Sequence, residues 1–178
     1  RIGPRWPAGP VGVEAQVVDP SGNVVARGAI AEISVRALPR TTSSPPVAVP
    51  VGAQFADGIG LVGMTLDPGA NGTLVVHLVW RADAPPTRDY TVFVHLLDPT
   101  GKIVAQHDGP PADGAWPTSW WEAGQVVDDI HTVALASATK APSVLELGFY
   151  DPATGKRLKV LHAGLGQEQD TALRIKVA

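Results

Sequence analysis

The chain has 178 residues, 44% of them hydrophobic, enough for one substantial core and too many for an intrinsically disordered chain. Charged residues make up only 17% and the formal net charge is −3, which points away from nucleic acid and anionic membrane surfaces as partners. Cysteine is absent, excluding disulfides and thiolate metal sites. The 19 Gly and 17 Pro, about a fifth of the chain, favour turns over helices.

The chain begins at Arg1, with no visible signal peptide, and is expected to be a piece or a processed product of a longer protein. Its apolar runs, such as "LVVHLVW", are too short to cross a bilayer, so no direct membrane insertion is expected. Residues 1–36 contain strands expected near Val11–Val18, Asn23–Ala26 and Ile30–Val35. The segment reads as a β-hairpin arm or as the tail of a preceding repeat, because "VEAQVVDPSGNVVARGAIAEISV" shares its pattern with "LELGFYDPATGKRLKV" and "TALRIKV" near the other end. Residues 37–51, rich in Pro, Ser and Thr, have the composition of an extended linker. Residues 52–178 are expected to form the main domain.

In that domain the apolar residues alternate with a period of two. Leu74, Val76, Leu78 and Trp80 fall on one face of a strand; so do Val92, Val94 and Leu96, and Leu145, Leu147 and Phe149. These residues, with Leu61 and Leu66, form the expected core. Further strands are expected near Leu61–Leu66, Lys102–His107, Val126–Leu135, Arg157–Val160 and Ala172–Val177. No window carries a capped helical stripe. The predicted fold is all-β: an antiparallel, immunoglobulin-like β-sandwich with an N-terminal β-hairpin arm, a jelly roll being the alternative.

One turn motif recurs, in "VVDPSGNVV", "LLDPTGKIV" and, one residue longer, "FYDPATGKRL". Asp accepts from the turn backbone, Pro presets φ, and Gly takes a positive φ, which makes a type I turn with a Gly bulge. Asp19, Asp98 and Asp151 are therefore expected to be turn formers. "GIGLVG" at 58–63 matches a dinucleotide-binding spacing, but "MTLDPGANG" follows instead of a helix, so a bulged strand is expected. The "NGT" at 71–73 reads as a turn.

The chemistry-bearing candidates concentrate in "HDGPPADGAWPTSWWEAG", 107–124. Trp116, Trp120 and Trp121 offer planar apolar faces, and His107, Asp108 and Asp113 offer hydrogen-bonding groups, the combination that stacks on and holds a sugar. The competing reading is a loop that closes the open end of the sandwich with its indoles. Trp120 is the indole most expected to cap the core. In an extended segment Trp120 and Trp121 point oppositely, which would leave one exposed.

His77 and His95 are expected on strands, where they can neighbour each other across a ladder. Asp128, Asp129 or His131 would have to supply a third zinc ligand, and no metal-ligand spacing is present, so neither metal nor cofactor is expected. For a hydrolase, Asp108 and Asp113 can face each other across a cleft, as can many surface pairs. There is no G-x-S-x-G elbow, and only five glutamates occur. The chain reads as non-catalytic.

The pieces "VWRA", "DYTVFVHLLDPTGKIVAQHDGPP", "PTSWWEAGQVVDD" and "GFYDPATGKRL", within about residues 57–160, carry a resemblance. The chain resembles a soluble β-sandwich region of bacterial membrane proteins typical of Chloroflexi and similar lineages. That region sits at the C-terminal end of multi-spanning glycosyltransferases similar to the dolichyl-phosphate-mannose mannosyltransferases. One departure is Ser143-Val144, where the family has a Pro-Gly and a tyrosine before the penultimate strand. The resemblance implies an accessory module on the outer face of the cytoplasmic membrane, contacting other domains or repeats of its parent protein. It assigns no active residues. Glycan binding through the Trp-rich loop is the alternative, and a hydrolase the third reading.

Overall fold

A computed structural model describes residues 9–35, 39–135 and 142–177. Residues 1–8 and 36 of the expected arm, 37–38 of the expected linker, and 136–141 ahead of the Ser143-Val144 departure lie outside the described residues. The chain divides into two compact units, Arg1–Pro39 and Arg40–Ala178.

The first unit is a two-stranded antiparallel hairpin of β1 (Gly9–Val18) and β2 (Val24–Val35). The two strands expected between 23 and 35 are one, because pairing runs on through Gly28, opposite Ala15, with a register shift at Val13/Glu14. The Asp-Pro turn joins them: Asp19 Oδ1 accepts from the backbone N–H of Ser21 and Asn23, both at 2.9 Å.

The second unit is an antiparallel β-sandwich. One sheet has the order β10-β3-β4-β5-β8, from β3 (Val49–Phe55), β4 (Ile59–Pro68), β5 (Thr73–Ala82), β8 (Val126–Ala134) and β10 (Val160–His162). The other has the order β11-β12-β9-β6-β7, from β6 (Thr91–Leu97), β7 (Ile103–Gly109), β9 (Val144–Tyr150), β11 (Gln167–Glu168) and β12 (Leu173–Lys176). The chain crosses between sheets after β5, and β8 crosses back to pair with β5. Strand β9 then pairs with β6, and β12 with β9. That connectivity is the Greek key of immunoglobulin-like sandwiches, not a jelly roll.

The alternating faces meet between the sheets. Val76, Leu78, Trp80, Val92, Val94, Leu96, Leu145, Leu147 and Phe149 are fully buried, while Leu66 and Leu74 pack partly buried at the margin. An aromatic cluster spans the layers: Trp80 and Phe149 have ring centroids 4.6 Å apart, and Phe55 meets Phe149 edge-on at 5.6 Å. Tilted and edge-on pairs of this kind add about 0.5–1.5 kcal/mol each beyond area burial.

The other two Asp-Pro turns form as expected. Asp98 Oδ1 accepts from the N–H of Thr100 and Lys102, and Asp151 Oδ1 from the N–H of Ala153. The expected strand at Arg157–Val160 is reduced to a single bridge, Tyr150↔Arg157, before β10. The segment after Arg40 lies along the sandwich: Val126 donates to Thr41 O at 2.8 Å, and Ala48 to Thr65 Oγ1 at 3.0 Å.

"GIGLVG" is a bulged strand, with the register of β4 on β5 shifting between Leu61 and Gly63. A Cβ on Gly63 would meet Val49 O at 2.7 Å and Val47 Cγ2 at 2.5 Å. Because one of those atoms is backbone, relief requires strand β3 to move. Gly63→Ala should therefore destabilise the sandwich by about 1–3 kcal/mol, seen as a lower urea midpoint at unchanged m-value. An unchanged midpoint would show that β3 yields freely.

Candidate functional site

The connections β3–β4, β5–β6, β7–β8 and β9–β10 lie at one end of the sandwich, as the alternating strand directions require. The Trp-rich loop is the β7–β8 connection. Pro111–Gly114 forms a 3-10 turn in which Ala112 and Asp113 hold φ of +50°, and Thr118–Trp120 forms another. Thr118, wholly buried, pins the loop to its neighbour: its hydroxyl donates to Arg88 O at 2.7 Å and accepts from Tyr90 N–H at 2.9 Å. Ser119 adds two bonds to Asp89 Oδ1.

The three indoles take different roles. Trp121 is 1% exposed, and its Nε1–H donates to Trp116 O at 3.0 Å. Trp116 is half-buried against the core, with the Arg40 guanidinium 5.6 Å from its ring centroid. Trp120 is half-buried, and its carbonyl accepts from Arg40. Trp121 rather than Trp120 fills the core. The 3-10 turn, rather than an extended segment, sets the direction of each ring, so simple alternation does not apply.

His107 and Asp108 follow each other on β7 and face opposite ways. His107 faces inward, where its Nδ1 lies 2.9 Å from Nδ1 of His131. His131 Nε2 in turn lies 3.0 Å from Asp129 Oδ2. Asp129, 1% exposed, also accepts from Trp80 Nε1 at 2.9 Å and from Ala112 N–H at 2.9 Å. The contacts assign the tautomers when both rings are neutral. His131 must donate from Nε2 to the carboxylate, so its Nδ1 accepts, and His107 donates from Nδ1. The result is an oriented chain from His107 to a buried carboxylate, and none of its hydrogen bonds reaches a hydroxyl nucleophile.

Asp129 and His131 figured in the sequence only as spare zinc ligands. Their signal was there: in "VVDDIHTVA" the positions 127, 129, 131 and 133 share one face, so a carboxylate and an imidazole sit on an inward stripe between valines.

Asp108 faces outward. Its Oδ1 lies 3.5 Å from His95 Nε2, and Glu146 Oε1 lies 3.5 Å from His95 Nδ1. Arg174 donates to Glu146 Oε2 at 2.7 Å across neighbouring strands, and Arg157 stacks 4.0 Å from the Phe93 centroid. Asp113 is exposed on its turn. His77 and His95 are not ladder neighbours, because β5 and β6 belong to different sheets. His77 instead contacts Asp128. Among the described residues no group of three His, Asp or Glu side chains converges as a metal site.

Beside the Thr118 anchor an open cleft of about 520 Å³ lies between the β3–β4 turn, the β5–β6 loop and the β9–β10 loop. Asp57, at φ +58°, is held there by Tyr90 OH at 2.9 Å and by the N–H and hydroxyl of Thr87. Burial, then the Asp57 carboxylate, pushes the Tyr90 phenol up. Arg88 donates to Asp151 Oδ2 at 2.9 Å. The Ala153 N–H first, and Arg88 second, hold the Asp151 carboxyl below its ordinary value.

Comparison with protein-family models, curated proteins and solved structures finds no match.

Two outcomes are expected. Asp129→Ala leaves Trp80 Nε1, His131 and the Ala112 N–H without their acceptor and should cost about 3–5 kcal/mol. Asp129→Asn should cost less, because its amide oxygen still accepts. Urea unfolding measures both, and the Trp80 indole N–H resonance should move in each. Equal stability of Asp129→Ala and the parent would remove the carboxylate from the fold's essential contacts. For Asp151, a carboxyl depressed in the folded state contributes stability that is complete above its unfolded value of about 3.9. That contribution is lost as pH falls through the lower folded value. Asp151→Asn should thus lose less of its stability than the parent between roughly pH 5 and pH 2, measured by thermal unfolding across that range.

Proposed function

We propose that this chain is a non-catalytic interaction module of a larger, membrane-associated protein of glycosyltransferase type, placed on the outer face of the cytoplasmic membrane and contacting other domains or repeats of that protein. The observation that carries this is the apolar surface of the N-terminal hairpin. Val17, Val25 and Ile30 on β1 and β2 are 59%, 62% and 66% exposed, and Val18 is 56% exposed. A two-stranded ladder is marginally stable by itself, and large apolar side chains exposed along both of its strands favour cover by another protein surface. The pattern that its sequence shares with the strands around the Asp151 turn supports a repeat neighbour as the contact. The resemblance to sandwich regions of glycosyltransferases supports the setting.

The carbohydrate-binding reading draws on less. Trp121 is buried and Arg40 lies over Trp116, which leaves half-buried Trp120 as the one loop indole to stack on a sugar. His107 and Asp108 face away from each other and do not converge on one ligand. The hydrolase reading has no nucleophile in the His107–His131–Asp129 chain.

Hydrogen exchange tests the module reading. Amides of 9–35 should exchange at least about 10-fold more slowly in the full-length gene product, held in membranes, than in this chain. The amides of β5 and β9 should exchange alike in both. Equal exchange of the hairpin in the two proteins would rule the docking role out.

A further inference from the structure

The cleft beside Thr118 gathers charge of one sign in a chain of the other. Its lining includes Arg88, Lys156, Arg157 and Lys159 against Asp57 and Asp151, and with Glu146 beside Arg157 the four cations still outnumber the carboxylates by one. The whole chain carries −3. Arg88 comes from the β5–β6 loop, and the other three from "KRLK" in the β9–β10 loop.

The two arginines already have partners. Arg88 is bonded to Asp151, while Arg157 stacks on Phe93 with Glu146 Oε1 at 3.7 Å. Among the described residues Lys156 and Lys159 have no ion-pair partner, and both are exposed. Both carboxylates are already engaged by donors of the cleft. Asp57 takes three donors on one oxygen, and Asp151 has both oxygens bonded. The walls are set: three donors fix the Asp57 side chain, and a Cβ on Gly58 would sit 2.8 Å from Ala84 O.

Ligand class follows from which donors remain. A planar carboxylate is best matched by a free arginine fork; here Arg88 spends Nη1 on Asp151, and Arg157 lies over Phe93. The uncommitted groups are two ammoniums, compact charges with rotatable donors that suit a tetrahedral, many-oxygen anion. The open volume exceeds what such an anion fills and lies in the range of small-ligand sites. Tyr90 and Leu158 add ring and aliphatic surface to the lining. We infer that this cleft binds a phosphate or sulfate monoester through Lys156 and Lys159, between walls fixed by Arg88–Asp151 and Tyr90–Asp57. This site is independent of the hairpin contact proposed above.

Titration at constant ionic strength with inorganic phosphate, inorganic sulfate and acetate, followed by amide chemical shifts, tests it. Phosphate and sulfate should give saturable shifts at 57, 87–90 and 154–159, with acetate weaker. K156Q/K159Q should weaken phosphate by at least about fivefold, and K156R/K159R, which keeps the charge, should restore most of it. Unchanged far-UV circular dichroism confirms that both variants fold. Acetate binding as well as phosphate, shifts that persist undiminished in K156Q/K159Q, or response to a DNA oligonucleotide but not to phosphate would each overturn the proposal. Glucose 6-phosphate and phosphatidic acid vesicles then separate the sources. Tighter binding of the free ester than of inorganic phosphate supports a soluble ligand, and retention on vesicles that K156Q/K159Q abolishes supports a lipid headgroup. Failure of both to bind more tightly than inorganic phosphate would overturn the ester assignment.

Discussion

A carboxylate buried between two sheets has to be satisfied, and Asp129 is satisfied by three elements at once. Trp80 donates from the aromatic centre of the core, His131 from two positions along the same strand, and Ala112 from the Trp-rich loop. An unpaired buried charge costs several kcal/mol, so none of the three can leave without penalty. The loop, the core and the edge pair β7–β8 are thereby tied to one side chain. The requirement also explains a Trp in the core whose polar end is not wasted, since an indole N–H buried without an acceptor would itself be costly.

Thr118 does for the second half of the loop what Asp129 does for the first. Its hydroxyl both donates to and accepts from the β5–β6 loop backbone. Between these anchors Trp121 fills the end of the core, and Arg40 lies against Trp116 and Glu122. The aromatic residues that look like a sugar platform in the sequence are largely consumed in closing the sandwich. What that closure leaves open is the neighbouring cleft, whose walls share the same β5–β6 loop. The anchor and the cleft are therefore parts of one end of the molecule, with Tyr90 buried on one side and bonded to Asp57 on the other.

Charge is arranged differently on the outer sheet face and at the cleft. On the outer face of the β9–β6–β7 sheet, Arg174, Glu146, His95 and Asp108 run across neighbouring strands in alternating order, so each carboxylate has a cationic or imidazole neighbour. At the cleft the balance is broken in favour of lysine. Low overall charge thus conceals a local excess, which a count over the whole chain averages away.

Most of the strands, the three Asp-Pro turns and the bulge at Gly58–Gly63 were legible in the sequence because each depends on near neighbours, whereas β3, which begins inside the expected linker, was not. Alternation places Leu78 and Trp80 inward whatever they meet, and an Asp side chain caps its own turn within four residues. The Greek key was legible only as a class, since which sheet β8 joins is a long-range choice. Two readings failed for that reason: His77 and His95 fall on different sheets, and Trp121 instead of Trp120 enters the core because a short 3-10 turn redirects the chain. The inward stripe holding Asp129 and His131, and the basic "KRLK", are visible in the letters. Their meaning is not, because a buried carboxylate is defined by donors from Trp80 and Ala112, and a cation cluster by Arg88 arriving from another loop. Local chemistry determined the pieces; packing decided which polar groups are paired inside and which are left facing water, since pairing requires partners that only the folded chain brings within reach.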